Sequence, residues 1–86
     1  MTTQQAIKQL RADLAAISGK YTQEDLARDM GVTVRTVARW ETVLPPSLDA
    51  LVELVHFCDA RQLTEAADRL RKVFYSAVAP KTGVRP

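Results

Sequence analysis

The chain has 86 residues, a length that fits one domain with a modest hydrophobic core. Apolar residues make up 47% of it, too many for a disordered chain, and a net charge of +2 is too small to define a partner. The single cysteine, Cys58, excludes an internal disulfide and a cysteine metal cluster. We find neither a secretory signal nor the roughly 18-residue apolar run of a membrane span, so we expect a cytoplasmic protein with no membrane partner.

The first helix is predicted over residues 3–18, where apolar side chains recur at helical spacing and Gly19 follows as a helix-ending residue. Thr22 opens a second helix, because its hydroxyl can cap the first turn and Asp25 can complete a capping box. Gly31 ends this helix. Thr33 then caps a third helix over 34–42, so the chain must turn sharply between the two.

Two further helices are predicted after Pro45-Pro46, which prevents the third helix from continuing. Ser47 caps a fourth helix that carries an apolar stripe from Leu48 to Cys58. The fifth helix covers about 63–79, with Thr64 as another capping hydroxyl. Strand-like alternation is absent from the sequence, so we expect an all-α domain over residues 1–79 and a flexible tail over 80–86.

Residues 22–41 read TQEDLARDMGVTVRTVARWE. This segment resembles the helix-turn-helix of the Cro and phage-repressor family, also called the xenobiotic-response-element family. The resemblance rests on residue types at fixed offsets, namely Thr22-Gln23, Leu26-Ala27, Gly31-Val32-Thr33, Thr36-Val37, Trp40-Glu41 and the downstream Pro46-Ser47-Leu48. It covers about residues 3–78 and implies a five-helix bundle of the phage-repressor DNA-binding type.

The third helix has one face towards the core through Val37 and leaves the opposite face free for a ligand. Arginine can bond guanine O6 and N7 bidentately, and a small apolar side chain can touch a thymine methyl. The resemblance implies that this helix reads bases in the major groove from the free positions, which are Val34, Arg35, Ala38 and Arg39.

Three polar residues are candidates for contacts with the DNA backbone. Gln23 lies in the first turn of the second helix, where free amides attract a phosphate, and in the resembling family a glutamine here clamps the backbone. Thr33 and Thr36 can donate to phosphates or base edges. Trp40 is interpreted as a core or groove-packing residue and not as one that stacks on a base.

The sequence departs from the family pattern in two places. After Glu41 the family often has a Gly- and Lys-bearing loop that touches phosphate, whereas residues 42–46 here are TVLPP, without a cation. We expect this loop to pack on the core, with contact to a partner as the alternative. The connection between Ser18 and Tyr21 is about one residue longer than usual, which predicts a shift of Arg11 that disfavours the family's ion pair with Glu41.

Unbalanced basic clusters favour a polyanionic partner, although solvated helix faces carry similar clusters. From residue 69 onward every charged side chain is basic, and residues 33–40 contain Arg35 and Arg39 without an acidic residue. His56 has no second ligand at metal spacing, and Cys58 has no catalytic base spaced around it. We therefore expect no enzyme activity, no metal and no cofactor.

The resemblance implies a sequence-specific regulator of transcription, a repressor that binds an inverted repeat in double-stranded DNA as a homodimer. The apolar stripe of the terminal helix offers a dimer interface, formed by Leu70, Val73, Phe74 and Val78. The alternative is that this stripe closes the core of the monomer itself. One alternative is an antitoxin or other protein-interaction module that neutralises a partner, supported by the apolar Val43-Leu44. A winged, MerR-like arrangement is a narrower alternative, disfavoured because no hairpin sequence follows Glu41.

Overall fold

Five helices make up the structure, a computed structural model that describes residues 2–78. In chain order they are α1 (Thr3–Ser18), α2 (Gln23–Met30), α3 (Val34–Trp40), α4 (Leu48–Ala60) and α5 (Thr64–Val78). No strand occurs within residues 2–78, so the predicted all-α, five-helix fold is confirmed and the winged alternative is wrong. The predicted tail over 80–86 lies outside the described residues. In the part of the chain that is described, no helix has the length and apolar character needed to cross a membrane.

Local hydrogen bonds set both ends of α2 as the sequence predicted. The Thr22 hydroxyl accepts from the Asp25 backbone N–H at 3.2 Å, and the Asp25 carboxylate accepts from the Thr22 backbone N–H at 2.8 Å. At the other end Gly31 has φ +72°, in the left-handed region that a residue with a Cβ reaches only at a cost. These two ends fix where α2 stops and how the chain turns into α3.

Two predicted helix ends are wrong by one or two residues. The third helix ends at Trp40 and not at Thr42, because the Arg39 carbonyl accepts from the backbone N–H groups of residues 42, 43 and 44 at 3.2, 2.9 and 3.0 Å. This tight turn stops the helix before the two prolines. Thr64 is the first residue inside α5, so it is not the residue that caps the helix from outside.

The hydrophobic core receives side chains from all five helices. Helices α4 and α5 pack on each other, α1 packs on α5 and α3, and α2 packs on α3. The largest fully buried side chains are Ile7, Leu10, Leu26, Val37, Leu54, Cys58 and Leu70. Trp40 is 6% exposed, which confirms its interpretation as a core residue. One side of α3 is therefore fixed to the core and the other faces outward.

Cys58 is a core residue, as the sequence indicated. Its side chain is fully buried on α4, and burial raises the pKa of the thiol to about 11. A thiol with that pKa is almost entirely protonated at neutral pH, and only the thiolate is strongly nucleophilic.

The assignment of Leu70 to a dimer interface is wrong. Leu70 is 0% exposed within a single chain, so a second copy cannot contact it. Val73 and Phe74 are half-buried and pack against the same core, with part of each side chain still accessible. The side chain of Val78, the fourth predicted interface residue, lies outside the described residues. The sequence predicts which residues form the apolar stripe of α5 but not how deeply each side chain is buried.

Candidate nucleic-acid interface

Helix α3 is short and is fixed at both ends. At its start the Thr33 hydroxyl accepts from the Thr36 backbone N–H at 3.2 Å. Val37 and Trp40 anchor one side of the helix in the core. At its end the Glu41 backbone N–H donates a hydrogen bond to the Val37 carbonyl at 3.2 Å. This seven-residue helix has, with its side chains, a diameter of about 10–12 Å, which a major groove about 12 Å wide admits.

The outward side of α3 brings together the six predicted contact residues of this segment. Val34 is 43% exposed, Arg35 and Arg39 are exposed, and Ala38 is half-buried. Thr33 is exposed and Thr36 half-buried, and their hydroxyl oxygens are 3.0 Å apart. The surface thus combines two cations, two hydroxyls and two small apolar side chains, the groups that recognise base edges and phosphates.

Within the described residues, the two arginines of α3 are unpaired, whereas every other arginine forms an ion pair. The arginines outside α3 each have a carboxylate within 4 Å, and they are Arg11, Arg28, Arg61, Arg69 and Arg71. Within residues 2–78 no such partner lies beside Arg35 or Arg39. The guanidinium groups on this face therefore keep their full donor capacity for an anion from outside the chain.

The predicted basic cluster at the end of the chain is partly neutralised by neighbouring helices. Arg69 pairs with Asp13 of α1 at 3.1 Å, and Arg71 pairs with Asp59 of α4 at 2.6 Å. For these two arginines the ion pairs favour the alternative, charged side chains on solvated helix faces, because charge counted along the sequence does not show which acids the fold brings near. Lys81 and Arg85 lie outside the described residues.

The expected loss of the ion pair between Arg11 and Glu41 is also wrong. Arg11 donates through Nε to Oε2 of Glu41 at 2.5 Å and through Nη2 to Oε1 at 2.9 Å, so the pair is bidentate. The Gln23 side-chain amide donates to the same Oε1 at 3.1 Å. The longer connection before α2 is absorbed without moving Arg11 away from Glu41. One carboxylate therefore joins α1, the start of α2 and the end of α3.

This carboxylate is buried yet stays ionised. Glu41 is 3% exposed, and burial by itself raises its pKa. The hydrogen bonds from Arg11 and Gln23, together with the charge of Arg11, outweigh burial and hold the pKa below its ordinary value.

The turn between α3 and α4 is more exposed than the sequence suggested. Val43 is 66% exposed and Leu44 is 51% exposed, so the expectation that this loop packs on the core is wrong for both. Pro46 is the buried residue of this turn. Backbone hydrogen bonds to Arg39 hold the turn outward, so its conformation does not depend on burying these side chains.

Sequence reasoning did not single out Lys8. Its side chain is exposed on α1, and its charge contributes to lowering the pKa of Glu41. Lys8 precedes Arg11 by three residues, a spacing that places both on one face of α1. That spacing was the available signal for a further cation near Glu41.

The chain belongs to the helix-turn-helix family of Cro-type and phage-repressor proteins, a family of DNA-binding regulators. The helix-turn-helix family model matches residues 4–65, from the second residue of α1 to the second residue of α5. Comparisons with curated proteins and with solved structures returned no significant match. The family defines the class of protein, and the outward side of α3 defines its candidate site.

Proposed function

We propose that this protein is a sequence-specific regulator of transcription, a repressor that reads the major groove of an inverted repeat in double-stranded DNA. The observation that carries the proposal is the contrast among the arginines. Arg35 and Arg39 project from α3 without an acidic partner in the described chain, whereas the other described arginines are paired. Two unpaired guanidinium groups beside small apolar side chains match the donor and methyl pattern of base edges.

The bases are read by four residues of the outward face. Arg35 and Arg39 donate to guanine O6 and N7, and Val34 and Ala38 contact thymine methyl groups. Because α3 is anchored through Val37 and Trp40, these side chains start from a fixed backbone.

The DNA backbone is held by residues at the helix starts. Gln23 is the first residue of α2, where unpaired amides and the helix dipole favour a phosphate. Thr33 and Thr36 lie at the start of α3 and donate to a phosphate or to a base edge. The contacts with phosphates set the register of α3 and carry no direct base information.

Two copies bind one operator, because a single helix-turn-helix covers only about half of a typical site. The surface that supports a homodimer is a groove between α4 and α5, lined by Val52, Val55, His56, Arg71, Phe74 and Tyr75. Tyr75 is 64% exposed, and its ring meets Phe74 edge-on with centroids 6.0 Å apart. Covering this aromatic pair with a second copy removes apolar surface from water.

Selection of bound sites from a random duplex pool tests the proposal. We expect an enriched inverted repeat, and an affinity that falls with salt with a log–log slope of about −5 for about six phosphate contacts. A pool that shows no enriched motif would overturn the assignment as a sequence-specific regulator.

A protein-neutralising module, such as an antitoxin, is a second candidate that one observation favours. Val43 and Leu44 are exposed side by side on the turn after α3. Purification from the native host, with mass spectrometry of co-purified chains, distinguishes the two functions. A partner that is lost with Val43→Ser/Leu44→Ser but retained with Arg35→Ala would support the interaction module.

A further inference from the structure

We infer that Glu41 is a positioning residue for DNA binding, which acts by fixing the side-chain amide of Gln23 in the orientation that donates to a phosphate. The inference rests on the proposed function and extends it from the residues that touch DNA to one that does not. Glu41 is 3% exposed, so it cannot itself meet the duplex.

The orientation follows from which atoms can donate. An ionised carboxylate only accepts hydrogen bonds, so Gln23 must turn its NH₂ group, and not its carbonyl oxygen, towards Glu41. One hydrogen of that group is used in the 3.1 Å bond to Oε1. The second hydrogen stays available to a phosphate oxygen. The flipped amide is excluded, because it would place the side-chain carbonyl oxygen of Gln23 against Oε1 of Glu41.

The Glu41 carboxylate is itself held in a fixed position, so it can orient the Gln23 amide. Arg11 binds both carboxylate oxygens, at 2.5 and 2.9 Å, and leaves Glu41 little rotational freedom. The backbone N–H of Glu41 ends α3 by bonding to the Val37 carbonyl. Glu41 therefore fixes the position of the Gln23 amide relative to α3, the helix that carries Arg35 and Arg39. As a result, the residue that contacts phosphate and the residues that contact bases keep a constant relative position.

A double-mutant cycle on duplex binding separates positioning from a general effect on the fold. Gln23→Ala is expected to weaken binding about tenfold, the loss typical of a hydrogen bond to a charged group. Glu41→Gln is expected to weaken binding severalfold in the wild-type background and by less than about twofold once Gln23 is alanine, since its effect passes through that side chain. Base preference in a random pool is expected to stay unchanged in all three variants.

A matched control is available on the other side of α1. Asp13 accepts from Arg69 at 3.1 Å and from the Gln9 amide at 2.9 Å, the same donor types that Glu41 receives, but between α1 and α5. Asp13→Asn is expected to lower the melting temperature while leaving DNA affinity within about twofold of wild type. Affinities are compared at a temperature where circular dichroism finds every variant folded.

The outcomes distinguish this inference from the proposed function. If wild type selects no duplex, the proposed function fails and the inference with it. If wild type binds selectively and Glu41→Gln weakens binding equally with and without Gln23, the proposed function stands and the positioning role is overturned. Should Glu41→Gln not fold, Glu41→Asp replaces it in the cycle, because aspartate keeps the charge that pairs with Arg11 but is one methylene shorter.

Discussion

Arginine has two different roles in this molecule, and its surroundings decide which one each residue takes. Arg11 is 25% exposed at the side chain and binds a buried carboxylate within the fold. Arg35 and Arg39 are exposed on α3, where the described chain offers no acidic partner. A guanidinium that is already paired has fewer N–H donors left for a base, whereas an unpaired one offers all five.

Replacing Arg35 by alanine is expected to remove discrimination at one base pair of each half-site. We expect Arg35→Ala to cost about 1–3 kcal/mol of binding free energy, the value of one bidentate contact to guanine. Affinity measurements on the selected duplex and on single-base variants of it check this result. Gln23→Ala serves as the comparison, because a lost phosphate contact weakens all sequences alike. An Arg35→Ala variant with unchanged affinity and selectivity would refute the assignment of α3.

The ionised Glu41 makes stability depend on pH in a defined window. Its folded-state pKa is lowered below the ordinary value of 4.5, so its stabilising effect is complete above that pH and is lost as pH falls through the folded pKa. At pH 7 we expect Glu41→Gln to be less stable than wild type by about 1–3 kcal/mol, the cost of leaving Arg11 without its charged partner. Urea unfolding of both proteins from pH 7 down to pH 3 measures the difference, which should shrink in acid. A difference that stays constant over this range would contradict the ion pair.

At the scale of elements, the sequence predicts what depends on neighbouring residues. The ends of α1 and α2 are confirmed because Gly19, Gly31 and the capping box at Thr22 act within a few residues of themselves. The end of α3 is missed because three N–H groups converge on one carbonyl, a turn that no single residue type signals. The start of α5 is missed because a hydroxyl just inside a helix and one just before it look alike in sequence.

The turn between α4 and α5 holds a residue in a costly conformation. Gln62 has φ +59°, in the left-handed region where a side chain costs about 1 kcal/mol or more. We expect Gln62→Gly to raise the free energy of unfolding by about 0.5–1 kcal/mol, measured by urea denaturation. Gln9→Gly within α1 is the matched control, because the same exchange there should lower stability by about 1 kcal/mol. An equal decrease in the free energy of unfolding in both variants would rule out strain at Gln62.

At the scale of the whole molecule, sequence patterns indicate which face of a helix is apolar but not what covers it. Leu70 and Phe74 belong to one stripe of α5, yet the first is fully buried and the second only half-buried. The same limit applies to the pair of Arg11 and Glu41, which are 30 residues apart and meet only because α1 packs on α3. Such contacts depend on tertiary packing, which local periodicity does not encode.

Assembly into a dimer is testable at Tyr75, which is exposed and lies beside Phe74. We expect wild type to sediment as a dimer at micromolar concentration and Tyr75→Glu to sediment as a folded monomer with weakened operator binding, because moving a carboxylate from water into an apolar interface costs free energy. Ile17→Glu is the matched control, since Ile17 is 71% exposed and does not line the groove between α4 and α5. This control should remain dimeric. A wild-type monomer at that concentration would remove the preformed dimer from the proposal.

The burial of Cys58 supplies a built-in probe of local opening. Because it is the only thiol in the chain and is fully enclosed by the core, a thiol reagent can modify it only while α4 is transiently separated from its neighbours. The modification rate at fixed pH and reagent concentration therefore measures how often the native state opens. A duplex that binds only the closed form should slow this reaction in proportion to its saturation of the protein. Ligand affinity could then be measured at a buried side chain that the ligand itself does not contact.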